Sequence, residues 1–126
     1  MTCFVEFHAA GFWCRGEVLR VWIAEMLAAG KKYPNPPPWL PTALGYWDAI
    51  RSAAKYGRAD LRFEVNVTNQ QQQNECIQFL ETVGRRKLDP IVQRANTLAI
   101  SLVRGDLAGM APTVLEYWSN EEWLGN

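Results

Sequence analysis

A chain of 126 residues, 48% apolar and 21% charged, has the size and composition of one globular domain (1–126) with a real core, which excludes disorder. Thirteen Lys plus Arg balance thirteen Asp plus Glu, so no global charge draws it to nucleic acid or to an anionic membrane. No apolar run approaches the ~20 residues that span a bilayer. Glu6 and His8 also interrupt the N-terminus before a signal-peptide core could form. A soluble, cytoplasmic protein is expected.

Cys3 to Ala9 alternates, with Cys3, Val5, Phe7 and Ala9 on one face and Phe4, Glu6 and His8 on the other, as a strand requires. Gly11 then allows a turn. Glu17–Ala29 carries Val18, Leu19, Trp22, Ile23, Met26 and Leu27 at helical spacing, and Gly30 reads as its stop. Tyr33–Pro41 holds five of the seven prolines and predicts an extended connection. Thr42 then caps a helix to Tyr56, with Leu44, Trp47, Ile50 and Ala54 inward and Arg51, Lys55 and Arg58 on the solvent side.

Leu61–Val67 is the sharpest strand pattern, with Leu61, Phe63, Val65 and Val67 on one face and Arg62, Glu64 and Asn66 on the other. Thr68 and Gln71 fit a capping box opening a helix to Val83. Asp89–Pro90 starts the next, in which Ile91, Ala95, Leu98 and Leu102 form a stripe that predicts a central helix ending at Gly105. Pro112 opens a short last helix through Trp118, and a polar tail follows. The expected fold is α+β: a small antiparallel β-ribbon of about 3–9 and 61–67, packed on one face by four or five α-helices.

The chemistry-bearing residues are few. Glu6 shares a strand face with His8, the one histidine, but Cys3 points away from it and Cys14 lies beyond a turn, so no nucleophile–base pair is expected. Cys3, Cys14 and Cys76 have the spacing of neither a zinc knuckle nor a thiol redox motif, and are read as reduced, mostly buried thiols. With one His and scattered acids, no metal site, cofactor or catalytic residue is predicted. The run Arg85–Arg86–Lys87 follows a helix end, where cations are favourable anyway, so nucleic acid is not an expected partner.

Six tryptophans, at 13, 22, 39, 47, 118 and 123, are many for this length, and most should be core. Between Asp106 and Asn126 there are four acids and no Lys or Arg. There Glu116, Tyr117, Trp118, Glu121, Glu122 and Trp123 combine aromatic anchors with steering charge, which suits a basic protein partner. The competing account docks the tryptophans on the body and leaves the glutamates for solubility. Tyr33 and Trp39 of the proline loop form a secondary interface candidate. By elimination, a small protein-binding protein of inhibitor or immunity type is expected. The alternatives are an enzyme using Cys14 or His8, and a structural subunit of an assembly.

Overall fold

His8 and Ala9 both adopt left-handed backbone, with φ of 49° and 69°, and together make a two-residue turn. The computed structural model describes residues 2–106, and in them this turn joins β1 (Thr2–Phe7) to β2 (Ala10–Arg15) as an antiparallel hairpin. The first strand matches its alternation: Cys3, Val5 and Phe7 are buried. Ala9 leaves it, and β2 was not foreseen, because its inward residues Phe12 and Cys14 are too few to set a period. The turn also lacks the Asn-Gly pair that such hairpins favour. An alanine at positive φ is strained, so Ala9→Gly should stabilise the protein by about 0.5–1 kcal/mol after the added chain entropy of glycine is subtracted. A urea midpoint that falls instead would refute the strain.

Leu61–Val67 is corrected most. Only Leu61–Arg62 form a strand, β3, and it pairs with β1 in parallel, Val5 with Leu61 and Glu6 with Arg62. The sheet order is β2-β1-β3. A parallel neighbour of β1 has no partner beyond Phe7, where β1 turns back, so the chain coils. Phe63–Val65 form a 3-10 turn, and the Asn66 and Val67 amides donate to the Phe63 carbonyl at 3.2 and 2.9 Å. Leu61, Phe63 and Val67 still reach the core, whereas Val65 is 51% exposed.

The helices are α1 (Gly16–Lys31), α2 (Trp39–Ala54), α3 (Gln70–Gly84) and α4 (Pro90–Arg104), which with the sheet make an α+β fold. The helix expected from Pro112 lies outside the described residues. Gly30 does not stop α1; it lets α2 approach, since a Cβ there would come within 2.5 Å of Leu44. Three residues before Thr42, α2 already begins, because Pro41 in the first turn owes no N–H to the helix. The cap of α3 is Asn69, whose side chain accepts the Gln72 amide at 2.8 Å, while the Gln72 side chain accepts from the Thr68 amide and hydroxyl. Asp89, Pro90 and Gly105 bound α4 as expected.

The inner face of α4 is rotated from its expected stripe. Val92, Ala95, Asn96, Ala99, Leu102 and Val103 are buried, and Leu98 and Ile91 are only half-buried against the core. The small residues Ala95 and Ala99 let α4 lie close to its neighbours. The central position goes to α1, which packs against the other three helices and the hairpin. Behind it an aromatic column fills the core. Phe63 meets Trp22 and Trp47 edge-on at 6.3 and 5.9 Å, and Trp47 stacks on Phe79 at 6.2 Å. Among the described residues Asn96 is the buried polar exception: it accepts the Trp22 indole N–H at 3.0 Å and donates to the Leu80 carbonyl at 2.9 Å.

Candidate functional site on the Trp13 face of the sheet

Alternation that sends Cys3, Val5, Phe12, Cys14 and Leu61 inward sends Phe4, Glu6, Gly11, Trp13, Arg15 and Arg62 to the opposite face. Phe4 and Trp13 are cross-strand partners, and their rings lie 4.7 Å apart at 47°. Gly11 is the seat for this pair. A Cβ there would meet the Phe4 ring at 2.8 Å and crowd the Val5 carbonyl, so only glycine lets the ring lie over the strand.

Arg58 also lies over Trp13, its guanidinium 4.7 Å from the ring centroid. Its position is set by Asp60, which accepts Nε–H and Nη2–H of Arg58, each at 3.1 Å. The same carboxylate accepts the Phe4 amide at 3.1 Å, taking over the ladder one residue before β3 begins. Burial works to raise the Asp60 pKa, but Arg58 and the Phe4 amide outweigh it and hold the carboxyl below its ordinary 3.8. The clamp is therefore fully formed above that value and is lost only as pH falls through the lowered one. Beside it, Arg62 pairs with Glu6 at 2.8 Å. Arg58 and Arg62 remain 53% and 57% exposed, so the face presents an aromatic pair with one oriented guanidinium over Trp13 and a second held by Glu6.

The residues singled out from sequence are placed as follows. Trp39 is buried, and its indole N–H donates to Glu75 at 3.0 Å. Tyr33 is half-buried with its ring edge-on to Phe79 at 5.2 Å. Glu116, Tyr117, Trp118, Glu121, Glu122 and Trp123 lie outside the described residues. His8 is exposed in the turn beside Phe7, and Glu6 is bonded to Arg62. All three cysteines are buried and free. Burial pushes the Cys76 thiol up to about 12, and burial together with neighbouring Cys3 pushes Cys14 higher still.

Of the basic run, Arg86 is bonded to Glu25 at 2.8 Å, tying the α3–α4 connection to α1, while Arg85 and Lys87 are exposed. A groove of about 360 Å³ between α3 and the end of α4 is lined mostly by polar side chains, among them the glutamines Gln70, Gln73 and Gln78. Two of these are already engaged, Gln70 with Asn74 and Gln73 with the Val103 carbonyl. Among the described residues no group of three His, Cys, Asp or Glu could hold a metal ion, and no helix is long and apolar enough to cross a membrane.

Trp13 and Arg58 are what sequence reasoning missed as a site. The available signal was the outward phase of Phe4 and Trp13 once β2 is recognised; nothing local to Arg58 marks its contact. The chain matches no family model, and comparison with curated proteins and with solved structures finds nothing similar to it.

Proposed function

We propose that the protein is a small cytoplasmic protein-binding protein of inhibitor or immunity type, which seats a specific protein partner on the Trp13 face of its sheet. The observation that carries this reading is the Trp13–Arg58 stack, flanked by Phe4 and Arg62. Tryptophan and arginine are the residues most enriched among binding hot spots. Asp60 already orders Arg58, so little side-chain freedom is left to lose on association. Trp13 is held by a strand pair, and Arg58, on the connection before β3, is held by its two bonds to Asp60. The acidic-aromatic residues Glu116 to Trp123 are proposed as a second contact, their charge steering a basic region of the partner.

The partner is found by chemical cross-linking to the full chain and then titrated with purified variants. Trp13→Ala and Arg58→Ala are each expected to weaken binding by about 2 kcal/mol, roughly 30-fold in Kd, with the melting transition retained. One equivalent of the wild-type chain should abolish the partner's activity. If Trp13→Ala binds unchanged while Glu121→Lys with Glu122→Lys abolishes binding, the contact belongs to the C-terminal stretch and the sheet face is not the site.

A further inference from the structure

Cys3 and Cys14 are set opposite one another by the register of the hairpin. Cross-strand partners share a face, and here it is the inner one: both side chains are fully buried, and both thiols are free. The turn fixes how far apart they stand. A two-residue hairpin makes Phe7–Ala10 a hydrogen-bonded pair, so Val5–Phe12 and Cys3–Cys14 are the next such pairs. The Phe4 amide agrees with this phase, since it points away from β2 and donates to Asp60. Residues in such a pair have their Cα atoms about 5.5 Å apart, inside the span of about 4.4–6.8 Å that a disulfide bridges without backbone movement. The thiols also carry an electrostatic mark of this proximity. Burial holds the proton on Cys14 and Cys3 adds to the effect, whereas on Cys76 burial acts alone.

We propose that Cys3 and Cys14 form a reversible redox pair, open as two thiols under reducing conditions and closed by an organic disulfide into a cross-strand bond. The closing step is thiol–disulfide exchange. One cysteine gives up its proton, and its sulfur attacks the oxidant, releasing one reduced thiol and leaving a mixed disulfide. The opposite cysteine, deprotonated in turn, displaces the second reduced thiol and completes the bond. The two cysteines thereby lose two protons and two electrons, and one disulfide oxidant becomes two thiols. Neither sulfur meets solvent in the closed fold, so the exchange is slow and proceeds through opening of the hairpin. β2 ends the order β2-β1-β3, so among the described residues that opening breaks a single strand ladder. The bond ties β1 to β2 directly behind the Trp13 face, because Cys3 precedes Phe4 and Cys14 follows Trp13. It also stabilises the fold by removing freedom from the unfolded chain. In a reducing compartment such a bond is transient and reports the redox state.

The redox pair is independent of the partner-binding reading and is measured with no partner present. The full folded chain is equilibrated without denaturant in a glutathione buffer, poised reducing or oxidising. It is then quenched with acid, denatured and alkylated with iodoacetamide. All three cysteines should take the label after the reducing buffer, and only Cys76 after the oxidising one. Trypsin cuts after Lys and Arg, so Cys3 and Cys14 leave together in the peptide Met1–Arg15. After oxidation that peptide should weigh two hydrogens less and carry no glutathione. Return to the reducing buffer should restore all three labels. Cys76→Ala should form the same bond. The closed form should unfold at a higher urea midpoint than the open form, with an unchanged circular dichroism spectrum. Cysteines that all take the label after the oxidising buffer, or glutathione retained on Cys3 or Cys14, overturn the proposal. So does a bond that includes Cys76, or a closed form that unfolds at a lower midpoint than the open one.

Discussion

Truncating Phe63 to alanine should destabilise the protein by about 3–5 kcal/mol. Phe63 is 1% exposed and stands between Trp22 of α1 and Trp47 of α2, edge-on to both. Its removal leaves a cavity that two rigid indoles cannot fill by changing rotamer, and it forfeits two aromatic contacts besides the transfer energy of the ring. The loss is concentrated where the chain leaves β3 and coils, so the turn itself should loosen. Two measurements check this: the guanidinium midpoint and the hydrogen-exchange protection of the Val67 amide, which donates to the Phe63 carbonyl. Phe63→Leu, which keeps most of the volume, should recover more than half of the loss. A midpoint for Phe63→Ala within 1 kcal/mol of the wild type would mean that the column is not what closes the core.

Asn96→Ala should cost about 2–4 kcal/mol, because it strands the buried Trp22 indole N–H and opens space beside α3. The Leu80 carbonyl suffers less, since it keeps a second acceptor site for its own helix. A more discriminating variant is Asn96→Asp. An ionised carboxylate at 96 could accept from Trp22 but would face the Leu80 carbonyl with nothing to donate. The protonated acid mimics the amide at both contacts. The folded-state pKa should thus rise above the unfolded value of about 3.9. A raised carboxyl binds its proton more tightly when folded, so the stability of this variant is fully present below about pH 4. It then falls by up to about 1.4 kcal/mol per pH unit until the raised pKa is passed. Wild-type and variant denaturation midpoints compared between acidic and neutral pH read this directly. A gap that does not widen toward neutral pH would show that water reaches Asn96.

Several elements were legible residue by residue because their determinants are local. The Asp89–Pro90 start and Gly105 stop of α4, the inner stripe of α1 and the inward Cys3, Val5 and Phe7 of β1 all follow from spacing and backbone chemistry within a few residues. Composition alone also called for buried cysteines and a tryptophan-rich core, and Trp22 and Trp47 are fully buried. What the sequence could not decide was how long a pattern keeps its partner. The alternation of Leu61–Val67 is that of a full strand, yet strand length belongs to the pair, and β1 runs out of residues at the His8–Ala9 turn. The rotation of α4 by one position likewise depends on Asn96 finding Trp22, 74 residues earlier. The Trp13 face is the extreme case. Trp13 and Arg58 are 45 positions apart in sequence and meet only because β3 lies beside β1 and Asp60 holds both the Phe4 amide and the Arg58 guanidinium. Periodicity tells each side chain which way to face, but only the packed neighbours decide what it faces.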